Sequence, residues 1–140
     1  MITIIDYGIG NIGSVANALT RLKAEFQISS NGEDIISSDA LILPGDGAAG
    51  AGMINLKNRK LITPIKKYVK SGRPFLGICL GMQLLLTQSD EGDVSCLGLI
   101  SGKVIKFGSK LKVPQIGWNQ MKYQISNIKK RDIYLKIFLI

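Results

Sequence analysis

The chain has 140 residues, a net charge of +8, two cysteines and no histidine, and 46% of its residues are hydrophobic. This length and composition allow one domain with a hydrophobic core, while two cysteines are too few for a disulfide framework or a metal site. No apolar run approaches the length of a membrane span and no signal-peptide pattern opens the chain, so we expect a cytoplasmic protein with no membrane partner.

Three short apolar runs early in the chain predict strands, at Met1–Asp6, Glu25–Ser29 and Ala40–Leu43. Asn11 is placed to cap a helix between the first two strands, because the apolar residues after it follow helical spacing. The pair Asn31-Gly32 predicts a turn after the second strand. The first part of the chain therefore alternates strands with at least one helix.

The middle of the chain continues this alternation. Leu61–Val69 predicts a helix, with Pro64 in its first turn and Gly72 after its end. Phe75–Ile78 predicts a fourth strand, and Leu80–Leu86 predicts a helix packed against the sheet. Strands that alternate with helices are typical of an α/β fold, with a mostly parallel sheet flanked by helices on both faces.

Beyond residue 100 the alternation stops. Ile100–Phe107 and Trp118–Tyr123 predict β-structure with no helix between them, and residues 124–140 form an atypical basic and apolar tail. We therefore expect residues 1–123 to be part of an α/β domain that is incomplete at its C-terminus. No basic stripe interleaved with aromatic residues occurs, so solvated lysines explain the positive charge and we expect no nucleic-acid partner.

The segment Gly77-Ile78-Cys79-Leu80-Gly81 carries the strongest functional signal, because it places a nucleophile where a strand meets a helix. Glycines two residues before and after the cysteine allow a sharp, strained turn. The helix start would stabilise a Cys79 thiolate, and the N–H of Leu80 would point toward a developing oxyanion. A lone cysteine is more often a small buried hydrophobe, but this pattern favours a catalytic one.

The segment Pro44-Gly45-Asp46-Gly47 follows the third strand. Proline and glycine favour a simple turn at such a position. The functional interpretation is a flexible loop whose backbone supplies a second N–H to the oxyanion, and we assign Asp46 and Gly47 to that site. Ligands of parallel sheets gather beyond the carboxyl ends of the strands, so we expect this loop on the same edge as Cys79.

The segment Gly8-Ile9-Gly10-Asn11-Ile12-Gly13 supports a competing hypothesis, since it matches the dinucleotide-binding pattern G-x-G-x-x-G. Glu33 and Asp34 follow at about the spacing of a ribose-binding acid. Both acids, however, fall in the turn after the second strand rather than at its end. Dinucleotide binding is therefore the less favoured interpretation.

Together these segments resemble the glutaminase subunit of imidazole glycerol phosphate synthase, a class I glutamine amidotransferase with a flavodoxin-like fold. The resemblance covers roughly residues 1–123 and is carried by these segments: Asp6–Asn11, Leu43–Gly47, Gly77–Leu85, Leu97–Ile100, Gly102–Val104 with Phe107, and Lys112–Asn119. Many class I amidotransferases share the cysteine segment. The opening and the segment ending in Gly117-Trp118-Asn119 select this subfamily.

The resemblance implies hydrolysis of glutamine to glutamate and ammonia, with Cys79 as nucleophile and no cofactor. It implies that Gln83, one helical turn beyond Cys79, helps to hold the substrate. It also implies a partner, a (βα)8 barrel cyclase that uses the ammonia to make imidazole glycerol phosphate in histidine biosynthesis.

The chain departs from that family in ways that concern activity. The family's histidine and glutamate, which complete a catalytic triad, lie near the C-terminal end of its domain, and this chain has no histidine. Its last residues do not resemble the family's continuation, and Gln115 stands where many relatives have histidine. We therefore expect a C-terminally truncated, inactive glutaminase. A glutaminase that feeds a different synthase and a non-enzymatic fragment that only binds a partner are the alternatives.

Overall fold

A sheet of four parallel strands organises residues 1–108, the part of the chain that this computed structural model describes. The strands lie in the order β2-β1-β3-β4, with the bounds β1 Ile2–Ile5, β2 Phe26–Ser29, β3 Ala40–Leu43 and β4 Phe75–Gly77. β1 pairs with β2 and β3, and β3 pairs with β4. Each predicted strand in this region forms, and the α/β fold with a parallel sheet is confirmed.

Helices follow the strands. Their bounds are α1 Ile12–Arg21, α2 Gly32–Ser37, α3 Ala49–Asn58, α4 Ile62–Lys70 and α5 Leu80–Gln83. Asn11 caps α1 as predicted, since its Oδ1 accepts the N–H of Ser14 at 2.9 Å. α4 forms where the sequence predicts it, shifted by a single residue at each end.

Two of these helices, α2 and α3, are not predicted from the sequence. Asn31-Gly32 was assigned to a turn, but Asn31 Oδ1 accepts the N–H of Glu33 at 2.8 Å and so caps α2. α3 is rich in glycine, which disfavours an isolated helix. Gly52 is nevertheless needed there, since a Cβ would lie 3.0 Å from Leu84 Cδ1. Tertiary packing therefore outweighs the local preference of this segment.

α5 is shorter than the predicted helix Leu80–Leu86, because a later segment takes the carbonyl groups at its end. The N–H of Leu97 donates to the Leu84 carbonyl at 2.9 Å. The N–H of Gly98 donates to the carbonyl of Leu86 at 2.8 Å. These bonds satisfy carbonyls that a longer helix would have paired internally, and they turn the chain away from the helix axis.

A second, smaller sheet follows α5. Its strands are β5 Gln88–Ser89, β6 Val94–Ser95 and β7 Lys103–Val104, in the order β6-β5-β7. β5 runs antiparallel to β6 and parallel to β7. The predicted β-structure over Ile100–Phe107 is therefore too long, since only β7 forms within it. Trp118–Tyr123, the domain boundary at residue 123 and the tail at 124–140 lie outside the described residues.

Both faces of the main sheet are covered, because successive residues of a strand point to opposite faces. On one face Ile4 and Ile42 of the sheet are buried together with Leu19 of α1. The other face carries a larger buried cluster, which includes Ile5, Ile35, Leu41, Leu43, Leu56, Ile65, Tyr68, Phe75 and Leu80. Because helices cover both faces of the sheet, a functional site is expected at the ends of the strands. None of the helices in residues 1–108 is long and apolar enough to cross a membrane.

Candidate active site

Cys79 lies where β4 meets α5, as the sequence predicts. Its backbone angles are φ +52° and ψ −116°, a conformation that residues with a side chain rarely adopt. A Cβ on Gly81 would lie 1.9 Å from the Leu43 carbonyl oxygen. A Cβ on Gly77 would lie 2.6 Å from Met82 Cα. The two flanking glycines are therefore steric requirements of this strand–turn–helix joint.

The backbone beside Cys79 leaves a hydrogen-bond donor available. The Cys79 carbonyl accepts the N–H groups of Met82 and Gln83 at 3.0 and 3.1 Å. The N–H of Leu80 donates to no acceptor within residues 1–108, as is usual for the first residue of a helix. The thiol is half-buried. A carbonyl substrate at Cys79 could therefore receive a hydrogen bond from Leu80.

The loop Pro44-Gly45-Asp46-Gly47 packs directly on this joint, at the same edge of the sheet. Ile78 donates its N–H to the Leu43 carbonyl at 3.0 Å, which ties the end of β4 to the end of β3. A Cβ on Gly45 would lie 2.8 Å from the Gly81 nitrogen. Asp46 and Gly47 are exposed, and their N–H groups donate to no acceptor in the described part of the chain. The predicted proximity of the loop to Cys79 is confirmed.

Gln83 is the last residue of α5 and is half-buried. It follows Cys79 by four positions, and its N–H donates to the Cys79 carbonyl at 3.1 Å. Its side-chain amide makes no hydrogen bond to another residue of the range 1–108, which leaves its donors and its acceptor for a ligand. Its role in binding substrate remains a prediction.

Tyr7 belongs to the site, although the sequence analysis assigns no role to it. Its side chain is completely buried, and its hydroxyl donates to the Pro44 carbonyl at 2.8 Å. Burial raises the pKa of the Tyr7 hydroxyl, and the nearby charges of Asp46 and Cys79 raise that pKa further. Tyr7 follows the end of β1, and Cys79 follows the end of β4, so both residues lie at the same edge of the sheet. Its position directly after a buried strand, within the segment Asp6–Asn11, could have indicated this.

Glu91 also lies beside the loop. One of its carboxylate oxygens accepts the N–H of Ala49, the first residue of α3, at 3.4 Å. Its own N–H donates to Ser89 Oγ at 3.2 Å, which fixes the turn between β5 and β6. The sequence around Glu91 is polar and resembles an ordinary surface turn, so nothing in it pointed to the site.

The glycines of the dinucleotide-binding pattern have a different use in the structure. A Cβ on Gly10 would lie 3.0 Å from the Gly45 nitrogen, so this loop packs on the loop that follows β3. A Cβ on Gly8 would lie 3.0 Å from Arg59 Nη2. Asp34 accepts a hydrogen bond from the Ser29 hydroxyl at 2.6 Å from within α2. These glycines therefore accommodate protein packing, which removes the support for a dinucleotide site.

Cys96 differs from Cys79 in its surroundings. Both cysteines are free thiols. Burial raises the pKa of Cys96, and its thiol donates weakly to the Val94 carbonyl at 3.6 Å. Within residues 1–108 no three histidine, cysteine or acidic side chains are grouped in a way that would hold a metal ion. The chemistry of this edge therefore centres on Cys79.

Comparison with known proteins agrees with this geometry. The family described as glutamine amidotransferase class-I matches residues 3–134. The imidazole glycerol phosphate synthase subunit HisH of Dehalococcoides mccartyi is 46% identical over 128 residues, which cover 91% of this chain and 62% of that protein. The HisH subunit of Bacillus cereus is 47% identical over 123 residues, which cover 87% of this chain and 59% of that protein.

A solved structure supports the fold independently. A crystal structure of a glutamine amidotransferase superimposes with a TM-score of 0.63 at 21% identity, over 74% of this chain and 55% of that chain. The chain belongs to the class I glutamine amidotransferase family. It spans about three fifths of the length of the curated relatives that it matches.

Proposed function

We propose that this chain is the glutaminase subunit of an imidazole glycerol phosphate synthase, whose site takes ammonia from glutamine. The observation that carries the proposal is the strained Cys79 between β4 and α5, with the loop after β3 beside it. The N–H of Leu80, next to Cys79, has no acceptor among residues 1–108. The similar proteins named as HisH subunits support the choice of synthase.

The first half of the proposed reaction uses these groups directly. The Cys79 thiolate attacks the side-chain carbonyl carbon of glutamine, a C–S bond forms, and the C=O electron pair moves onto oxygen. The N–H of Leu80 and an N–H of Asp46 or Gly47 donate to that oxyanion. Gln83 holds the bound amino acid. The oxyanion then collapses to a thioester as the C–N bond breaks, and the nitrogen leaves as ammonia after it takes a proton from solvent.

Both halves of the reaction also call for a general acid–base group. In the first half it would protonate the departing nitrogen, and in the second half it would deprotonate the water that cleaves the thioester to glutamate. The 140 residues contain no histidine. We infer that the chain by itself is a poor catalyst of turnover, while Cys79 keeps the reactivity of a nucleophile.

The proposed partner is a (βα)8 barrel cyclase that consumes the ammonia in histidine biosynthesis, and no cofactor takes part. The nucleophile must stay reduced, which suits a cytoplasmic location. The absence of histidine favours one alternative, in which the chain binds the same partner without acting as an enzyme. A glutaminase that feeds a different synthase would use the same site.

Selective labelling tests the proposed site. A diazo-ketone analogue of glutamine should modify Cys79 faster than Cys96, because only Cys79 has donors positioned for a carbonyl oxygen and Cys96 has a raised pKa. Mass spectrometry of the labelled peptides measures both sites in one sample, and excess glutamine should slow only the Cys79 reaction. Equal labelling of the two cysteines in the folded chain would refute the proposed function.

A further inference from the structure

Among residues 1–108, the Tyr7 hydroxyl is the only side-chain group that makes a hydrogen bond to the loop Pro44-Gly45-Asp46-Gly47. It donates to the Pro44 carbonyl at 2.8 Å, across 37 positions of sequence. The contact is possible because β1 and β3 are paired parallel neighbours, so that their carboxyl ends lie side by side. The tyrosine ring is completely buried. The hydroxyl is therefore fixed in place by the core below it.

Gly45 packs against both this hydroxyl and the start of α5. A Cβ on Gly45 would lie 2.5 Å from Tyr7 Oη and 2.9 Å from Leu80 Cβ. The hydroxyl, the loop and the start of α5 thus form one packed layer. A displacement of the loop would require either the hydroxyl or the helix to move.

Tyr7 cannot replace the missing histidine as a proton donor and acceptor. Burial raises the pKa of its hydroxyl, and the charges of Asp46 and Cys79 add to that rise. The hydroxyl therefore keeps its proton throughout the pH range in which a cysteine thiolate forms, and it remains a donor to Pro44. Its contribution must be to geometry.

We propose that Tyr7 is a positioning residue for the oxyanion site, an inference that rests on the proposed glutaminase function. A peptide unit is planar, so a hydrogen bond that fixes the Pro44 carbonyl also fixes the direction of the Gly45 N–H. The residues that follow include Gly47 at φ +78°, where the backbone rotates easily. The Tyr7 hydroxyl holds the start of this flexible loop. We expect that anchor to keep the N–H groups of Asp46 and Gly47 within reach of the carbonyl oxygen of a substrate on Cys79.

Two reagents separate this role from an effect on the thiol itself. A γ-thioester of glutamate acylates Cys79 through a tetrahedral oxyanion and expels a thiolate, which needs no proton donor to leave. Iodoacetamide alkylates the same thiolate by displacement of iodide, without any oxyanion. The first reaction depends on the loop and the second does not, and neither requires a histidine.

The variant Tyr7→Phe removes only the hydroxyl. We expect it to slow acylation of Cys79 by roughly tenfold, the effect of one lost buried hydrogen bond, and to leave the iodoacetamide rate and its pH profile unchanged. Tyr68→Phe is the matched control, because Tyr68 is equally buried and its hydroxyl lies 2.9 Å from the Pro74 carbonyl, which precedes β4. That hydroxyl is at the opposite edge of the sheet, so both rates should stay at the wild-type values.

Each other outcome has a definite meaning. Wild-type acylation rates in Tyr7→Phe would overturn the positioning role while leaving the glutaminase site intact. A parallel fall in both reactions would also overturn it, because the hydroxyl would then act on the thiol or on the fold. If the wild-type chain acylates Cys79 no faster than Cys96, the proposed function fails and the role of Tyr7 fails with it.

Discussion

At Cys79 the protein maintains a backbone conformation that costs about 1–3 kcal/mol. Three glycines make it possible, because each lies where a side chain would collide with backbone or buried atoms. A Cβ on Gly45, Gly77 or Gly81 would come within 3.0 Å of a neighbouring residue. The rest of the fold compensates for this strain. The result is a sulfur atom held at the end of a strand, beside a Leu80 N–H that donates to no acceptor in the part of the chain that the structure describes.

The most severe of these collisions gives a prediction. Gly81→Ala should destabilise the protein by about 2 kcal/mol or more and reduce Cys79 alkylation, because its Cβ would lie 1.9 Å from the Leu43 carbonyl oxygen. The backbone there cannot move without breaking the bond between Ile78 and Leu43. Thermal unfolding and iodoacetamide labelling measure the two effects.

The control for that experiment is Gly50→Ala in α3, whose Cβ would make an ordinary contact at 3.5 Å with Val94 Cγ2. Alanine also favours the helix over glycine. This variant should therefore keep or slightly raise the melting temperature. A Gly81→Ala protein as stable as Gly50→Ala would show that the joint is not sterically constrained.

Some residues of the candidate site can be predicted from the sequence, and others cannot. Cys79 is predictable because its strand and its two glycines lie within seven consecutive residues, Phe75–Gly81. Tyr7 and Glu91 are not, because their contacts join residues 37 and 42 positions apart. Those contacts depend on which strands are neighbours, and strand order is a property of the assembled sheet.

At the scale of elements, the strands were easier to predict than the helices. A strand buried on both faces is a continuous apolar run, and β1, β3 and β4 have that character. α2 has only six residues and α3 is glycine-rich, so neither shows a long helical pattern. α5 ends where distant N–H groups take its carbonyls, which no local pattern encodes. Tertiary contacts therefore decide where these helices lie.

Arg73 provides a test of how α2 is stabilised. Its guanidinium donates to the carbonyls of Ser38 and Ile36 at 2.5 and 2.6 Å, just at the C-terminal end of α2, and lies 4.3 Å from the centre of the Tyr68 ring. A six-residue helix is marginal without such tertiary support. Arg73→Met keeps most of the side-chain volume and removes the donors, and we expect a loss of about 1–3 kcal/mol in the free energy of unfolding.

Denaturant unfolding measures that loss, with Lys66→Met on the exposed side of α4 as the control for removing a positive charge. The control should change the free energy of unfolding by no more than about 0.5 kcal/mol. Cys79 labelling should persist in folded Arg73→Met, since Arg73 is at the opposite edge of the sheet. Equal stabilities of the two variants would show that Arg73 does not support α2.

At the scale of the whole molecule, the two edges of the sheet have different tasks. The edge where the strands begin holds a polar network of Thr3, Ser38, Tyr68 and Arg73 that binds the loops to one another. The edge where the strands end holds Cys79, the loop after β3 and Tyr7. Helices cover both faces of the sheet between these two edges. Substitutions at the first edge should therefore lower the free energy of unfolding without changing the reactivity of Cys79. Substitutions at the second edge should change the reactivity of Cys79.

The last prediction concerns turnover by the 140-residue chain. The nitrogen of glutamine is a poor leaving group unless a proton reaches it as the C–N bond breaks, and the chain has no histidine to supply one. In the proposed reaction Leu80 and the loop after β3 would lower the barrier to attack by Cys79, but they would not help to expel ammonia or to activate water. Loss of general acid–base catalysis alone should lower kcat by about 10²–10⁴-fold relative to a histidine-containing glutaminase. Ammonia release would be measured with glutamine, the proposed cyclase partner and its nucleotide substrate, with Cys79→Ala as the background. Repeated turnover that depends on Cys79 would mean that another group in this chain carries the proton.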